Sequence, residues 1–387
     1  MTAPPVRDEG EDRMEIRFDH TTLGQRVLFG TGAAAANIAT ALRDLGVSRP
    51  LLVGGGHASE VVDQVSAEFA VAGHIREVVQ HVPAERAREA VSLAQDLGAD
   101  SVVAIGGGSA TGLAKIVARD TGLPVVAVPT TFSGSEATDI WGMTEDERKT
   151  TGTDLRVLPR VVVYDATLTQ GLPADLAVHS GLNALAHAVD SLWAPRADPI
   201  NRAMAGEGMR ALVPGLRGLR ADPADVRAHE QVLYGTYLSG VALASAGAGM
   251  HHKICHVLGG TFNLPHAPTH AVVLPYVAAY NAEADPDSDA RIAEALGTPH
   301  GAAGLWDLAR EVGAPASLSE IGFTEDDVDL AAELATAAIP DSNPAPVSRE
   351  GVAALLRYAL RGDDVRRWPD PRGAEIGRVH TPLRGTP

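Results

Sequence analysis

Between Arg26 and Pro129 short apolar runs alternate with helical patterns, and this rhythm limits the possible folds more than any other feature of the chain. "RVLFGTG" leads into "AAAANIATALRDLG", "PLLVGGG" into "HASEVVDQVSAEFAVAG", "IREVVQHV" into "PAERAREAVSLAQDLGAD", and "SVVAIGGGS" into "ATGLAKIVARDTG"; "PVVAVPTT" closes the series. A strand buried on both faces reads as a continuous apolar run, and a helix must carry the chain back before the next parallel strand can pair. The expected fold is a doubly wound, Rossmann-like sheet of mainly parallel strands, with ligands at the carboxyl ends of the strands.

The rhythm stops after "RVVVYDATLTQGLP", around Pro173. Beyond it come long Ala/Leu helical patterns such as "ADLAVHSGLNALAHAVDSLWA" and "DVRAHEQVLYGTYLSGVALASAGAGM", with almost no strand signal. The 387 residues suit two domains. We therefore expect an α/β dinucleotide-binding domain over 1–173, with 1–14 as a mobile leader, and an all-helical catalytic domain over 174–387. The "RGDDVRRWPDPRGAEIGRVHTPLRGTP" end lacks apolar periodicity, so 363–387 reads as a surface tail.

Charge and cysteine content narrow the function. A formal charge of −17 with no Lys/Arg cluster argues against a nucleic-acid partner, whose binding depends on clustered cations. Cys255 is the only cysteine, so intrachain disulfides are impossible. No apolar run reaches the roughly 18–20 residues that span a bilayer, and "MTAPPVRDEGEDRME" is too polar for a signal peptide. A cytoplasmic protein without a membrane partner is expected.

Two loops carry binding chemistry. Gly106, Gly107, Gly108 and Ser109 lie where an apolar strand passes into a helix, and the N–H groups and dipole of a helix start favour phosphate. The run is neither G-x-G-x-x-G, since position 111 is Thr, nor a Walker A loop, since Leu113 follows Gly112. The next strand ends in "VPTTFSGSEAT", where Thr130, Thr131, Ser133 and Ser135 offer hydroxyls, so the two loops together could flank a dinucleotide. "LLVGGGH" has no Asp or Glu to bind a ribose 2′-hydroxyl, which leaves both NADH and NADPH open as cofactors.

"GMHHKICHVLGGTFNLPH" holds four histidines, His251, His252, His256 and His266. His252 and His256 are four residues apart and share a helix face, as do Asn183 and His187. Taken alone, these residues are compatible with a metal site, with acid–base catalysis or with ordinary packing.

Together, "GGGSATG", "PTTFSGSEAT", "GLNALAHAVD" and "HHKICHVLGGTFNLPH" resemble the iron-containing alcohol dehydrogenase superfamily, and within it the maleylacetate reductase branch, over roughly 26–360. In its metal-dependent members an Asp and three His hold iron or zinc, and those motif positions fall on Asn183, His187, His252 and His266. Asn in the Asp position, with "HHK" at His251–Lys253, implies the branch that works without a metal. The resemblance implies a homodimer and reduction of maleylacetate, or a related unsaturated keto dicarboxylate, to 3-oxoadipate by NADH or NADPH. It also implies service in aromatic-compound degradation or a recruited pathway. Catalysis would fall to His252, His256, His187, His266, Lys253 and Asn183. A dicarboxylate needs cations, for which His251, Lys253, Arg148 and Lys149 are candidates. The rival readings are an iron- or zinc-dependent alcohol or polyol dehydrogenase, and a dehydroquinate-synthase-like lyase.

Overall fold

A computed structural model describes residues 17–80, 82–145 and 148–368. The chain runs through β1 (Arg26–Phe29), α1 (Ala34–Leu45), β2 (Pro50–Gly54), α2 (Ser59–Glu68), β3 (Gly73–Ile75), α3 (Ala84–Asp96), β4 (Ser101–Gly106), α4 (Gly108–Thr121) and β5 (Val125–Pro129). A hairpin, β6 (Ile140–Glu145) and β7 (Arg148–Thr153), precedes β8 (Val161–Tyr164). Six strands form one sheet in the order β1-β8-β5-β4-β2-β3, and every pair in it is parallel.

Side chains alternate across each strand, and the packing follows that alternation. Leu51, Val53, Val102 and Ala104 pack with α3 and α4 residues such as Ala87, Ala94, Leu113 and Val117. Leu52, Val103 and Ile105 face the other way, onto Ile38, Leu42, Val62 and Val65 of α1 and α2. From β2 the chain passes outward to β3; from β4 it passes the other way to β5 and β8. The winding therefore reverses between β2 and β4, and such a reversal opens a crevice at the strands' carboxyl ends. Gly54 stands there at φ +84°, where a Cβ would come within 2.4 Å of the Ile105 carbonyl oxygen.

The helical half comprises α5 (Ala174–Ser191), α6 (Pro199–Ala221), α7 (Val226–Ala246), α8 (Met250–Phe262), α9 (His266–Asn281), α10 (Pro286–Leu296), α11 (Gly301–Glu311), α12 (Val328–Ala338) and α13 (Arg349–Arg361). Helix α5 is apolar on nearly every side, as Leu182, Ala184, Leu185, Ala186, Ala188 and Val189 show, and it forms the middle of this half. Its core is continuous with Phe132, Val162 and Tyr164 at the sheet. Asp198 and Asn201 form a capping box that starts α6.

Two expectations need correction. The "IREVVQHV" strand is only β3, ending at Ile75; residues 76–80 have no regular structure. The backbone at Arg148 and Lys149 belongs to β7, paired antiparallel with β6. That hairpin packs on α4, with the Arg119 guanidinium 4.4 Å from the Trp141 ring centroid. The tail begins later than position 363: Trp368 is buried against Tyr280 and Tyr358, and Tyr276 donates to the Asp363 carbonyl oxygen. One aromatic side chain anchors this segment without any periodic pattern. The leader and 369–387 lie outside the described residues. Among the described residues, no helix is long and apolar enough to cross a membrane.

Candidate active site

Helix α4 starts at Gly108 with Gly107 as its N-cap, and no acidic residue occupies its first turn. A helix start leaves N–H groups without intrahelical partners at the positive end of the dipole, where an anion is stabilised. Gly107 has φ −76°, which any residue can adopt, so glycine is required here for space. A Cβ on Gly107 would lie 2.9 Å from Thr131 Cγ2, and one on Gly108 3.3 Å from Ser133. The Thr130 N–H donates to the Gly106 carbonyl oxygen at 3.1 Å. The two loops chosen from the sequence therefore touch, side by side at neighbouring strand ends.

A fully buried lysine ties them together. Lys115 of α4 donates to the Ser135 carbonyl oxygen at 2.6 Å, the Ile140 carbonyl oxygen at 2.8 Å and Thr138 Oγ1 at 3.0 Å. Burial lowers its pKa to about 7, against the pull of Glu136 and Asp139. Glu136 is also fully buried; burial raises its pKa, although the Tyr164 hydroxyl donates to Oε1 at 2.7 Å. The helix that starts at the glycine run is thus locked to the segment carrying Ser133 and Ser135.

That segment meets the helical half directly. The Phe132 N–H donates to Ser180 Oγ of α5 at 3.0 Å. Gly134 has φ +71°, and a Cβ there would lie 3.0 Å from His187 Nδ1. His187 stacks on His252 with ring centroids 5.2 Å apart, and His252 stands 5.0 Å from His270 and 6.0 Å from His256. His266, the first residue of α9, is 4.4 Å from His270. Helices α5, α8 and α9 therefore bring the expected histidines into one cluster below the loops. His187 and His252 are buried within it, while His256 and His266 are exposed.

Asp190 organises this cluster, and the sequence reading passed over it. Its carboxylate is fully buried on α5 and accepts from the N–H groups of Gly249 at 2.7 Å, His251 at 3.0 Å and His252 at 3.3 Å, which are the start of α8. It also accepts from Trp193 Nε1 at 3.0 Å and His252 Nδ1 at 2.8 Å. Burial alone would raise its pKa; the bonds and charge from His252 and His251 outweigh that and hold it below the usual carboxylate range. A carboxylate can only accept, so Nδ1 of His252 carries a proton and Nε2, buried and without a partner, is presented to the cluster. The one sequence signal was the spacing, since Asp190 lies seven residues after Asn183, on the same side of α5.

Several expected roles change with this geometry. Burial pushes His187 and His270 well below the normal histidine range and His251 to about 3, so these rings are neutral and unsuited to act as imidazolium donors. His251, expected to bind substrate, is fully buried and paired through Nε2 with His270 Nδ1 at 2.9 Å. Arg148 and Lys149 are not brought to the cluster. In the register of the hairpin Arg148 faces Glu145, which pairs with Arg88 of α3, whereas the histidines stand on α5, α8 and α9; the side chains of 148 and 149 lie outside the described residues. Lys253, half-buried beside His252, remains as the lysine of this region.

A divalent metal would take its donors from Asn183, His187, His252 and His266, three imidazoles and one weak amide ligand. Asn183 is a neutral amide whose Nδ2 turns toward His187 Nε2 at 3.4 Å, so no anionic donor is present. Among the described residues, the only group of three or more His, Cys, Asp or Glu whose donor atoms all lie within 4.8 Å of one another is His251, Cys255 and His270. The glycine cradle does fit a dinucleotide, because a Cβ would fill it.

Residues 24–166 match iron-containing alcohol dehydrogenase, and 177–360 match the C-terminal part of the Fe-containing alcohol dehydrogenase family. The maleylacetate reductase of Pseudomonas sp. strain P51 is 47% identical over 350 residues, covering 90% of this chain and 99% of that protein. The crystal structure of an iron-containing alcohol dehydrogenase from Corynebacterium glutamicum superposes with TM-score 0.88 at 48% identity, covering 91% of this chain and 99% of the other. That of maleylacetate reductase from Agrobacterium tumefaciens gives TM-score 0.86 at 42% identity, covering 90% and 100%.

Proposed function

The chain belongs to the iron-containing alcohol dehydrogenase family, and from that premise we propose that it is an NAD(P)H-dependent reductase of maleylacetate, or of a closely related unsaturated keto dicarboxylate, giving 3-oxoadipate from maleylacetate. The observation that carries this reading is the pair made by Asn183 and the Asp190–His252 contact. The position that would anchor a metal is neutral, while one cluster histidine is fixed in a single tautomer by a buried carboxylate.

NADH or NADPH supplies the hydride when bound. The N–H groups of Gly106–Ser109 hold its phosphates, and Thr130, Thr131, Ser133 and Ser135 line its other side. Hydride addition leaves negative charge on the substrate, which a proton must meet. His252 passes that proton to the substrate through Nε2, while Asp190, accepting at Nδ1, holds the ring in place. His187 and Asn183, both neutral, orient the substrate through hydrogen bonds. Lys253, His256 and His266 face its carboxylates. No step in this account requires a metal.

The same reading places the domain boundary near 173, between the last strand and α5, and makes the protein a cytoplasmic homodimer serving aromatic-compound degradation. The deciding experiment follows nucleotide absorbance with maleylacetate, with and without chelator. Steady NADH or NADPH oxidation that survives chelation is expected. Activity confined to simple alcohols or aldehydes and dependent on added iron or zinc would make it a metal-dependent alcohol dehydrogenase. Product formation without net nucleotide consumption would make it a lyase.

A further inference from the structure

Behind the cleft lies a set of donors that the reductase mechanism does not use. His251 and Cys255 are one turn apart on α8, and His270 reaches toward them from α9. His251 Nε2 is 2.9 Å from His270 Nδ1 and 3.6 Å from Cys255 Sγ, and the three donor atoms all lie within 4.8 Å of one another. An ion that binds nitrogen at about 2.0 Å and sulfur at about 2.3 Å in a trigonal arrangement separates its donors by roughly 3.5–4 Å. The trio is close to that spacing already, so small rotations of the two rings would complete it.

We propose that His251, Cys255 and His270 form a binding site for a single soft, thiophilic cation of the Cu(I) class, distinct from the cleft beside it. Two imidazoles and a thiol in a trigonal set are copper-type ligands, whereas hard oxygen-seeking ions find no donor there. Charge selects the oxidation state. All three side chains are at most 1% exposed, so an uncompensated charge would be costly. Binding replaces the thiol proton, Cys–SH plus Cu⁺ giving Cys–S–Cu plus H⁺, and a thiolate with a monovalent ion and two neutral imidazoles carries no net charge. A divalent ion would leave one positive charge buried. The negative charge of Asp190 does not offset it, being already engaged by the start of α8, His252 and Trp193.

The two rings are poorly satisfied as they stand. His251 Nδ1 and His270 Nε2 are buried without partners, and the pair shares only the bond between Nε2 and Nδ1. An ion between Nε2 of His251 and Nδ1 of His270 would replace the hydrogen bond they share, with the ring protons on the two unpartnered nitrogens. The ring of exposed His266 lies 4.4 Å from that of His270.

The test uses the full-length enzyme under anaerobic conditions, with Cu(I) in competition with a bathocuproine chelator and thermal unfolding recorded in parallel. One tightly held equivalent per chain is expected, with a higher melting temperature because the ion joins α8 to α9. Cys255→Ser should lower the affinity at least about a hundredfold and abolish the thermal shift. His266→Ala, in the cleft, should keep both. Cys255→Ala serves if the serine variant does not fold. The proposal is overturned if the chelator strips all copper from the parent, if the Cys255 variants bind as the parent does, or if His266→Ala alone removes the ion.

Discussion

The glycine loops and the histidine cluster meet at Gly134 and His187, yet they are made in opposite ways. At the loops side chains are removed: Gly107 and Gly108 bring backbone against Thr131 and Ser133, and the proposed binding groups are peptide N–H donors. In the cluster side chains are concentrated, with neutral rings packed around one buried carboxylate, Asp190. A site built from backbone tolerates no added atom, and one built from buried side chains tolerates no added charge. The two halves should therefore fail differently.

The largest effect should come from the cluster. His252→Ala is expected to cost about 10²–10⁴-fold in turnover, the usual worth of general acid catalysis, while NADH affinity measured by fluorescence changes little. A folded variant with near-normal turnover would remove His252 from the mechanism.

Asp190→Asn should come next, at about 10–10² in turnover, because the amide no longer fixes the Nδ1 proton of His252. It should also lower the melting temperature by weakening the start of α8. A loss of stability with unchanged turnover in the folded fraction would reduce Asp190 to a helix cap.

Gly107→Val tests the other half. An added side chain there should cost about 1–3 kcal/mol, seen as weaker NADH binding with a smaller effect on the rate at saturation. Thr131→Gly in the same chain relieves the contact between loops without restoring room for a phosphate. If the double variant recovers full affinity, Gly107 serves packing and the cradle lies elsewhere.

Acidity should strain the cluster. His187, His251 and His270 have folded pKa values below the unfolded value near ~6.5, so under acid the unfolded chain binds protons that the folded chain refuses. Stability is then full above about pH 6.5 and falls as pH drops below it, at up to about 1.4 kcal/mol per pH unit for each ring. His270→Gln should flatten that slope in urea unfolding between pH 6.5 and 5; an unchanged slope would mean that the ring is charged in the fold.

Lys115 gives the smallest signal, of the same sign but in a more alkaline window. Its folded pKa of about 7 lies below its ordinary 10.5, so the unfolded state holds the extra proton between those values and the lysine's contribution to stability rises with pH. Unfolding measured at pH 7.5 and 9 should show the parent gaining on Lys115→Met. A constant difference would place the ammonium, still charged, in the fold.

Much of this was legible in the sequence. The parallel sheet followed from apolar runs ending in glycine, and the turn from α/β to helix followed from the loss of that rhythm after Pro173, because backbone periodicity is a local property. The glycine run, Asn183–His187 and His252–His256 were readable for the same reason, as spacing on a helix fixes which residues share a face. Other features depended on what lies across the fold. Asp190 reads as one more polar residue on α5 until the start of α8 arrives over it, and Lys115 as a surface lysine until residues 135–140 close around it. Trp368 delays the start of the expected tail because two tyrosines from α9 and α13 receive it. Arg148 and Lys149 left the proposed site because the hairpin carries them toward α3, and His251 left it because α9 supplies His270 as its partner. Sequence determined which groups could act, since side-chain type and helical spacing are fixed by covalent order. Tertiary structure alone decided which are charged and which are free to react, because burial and partners come from segments distant in the chain.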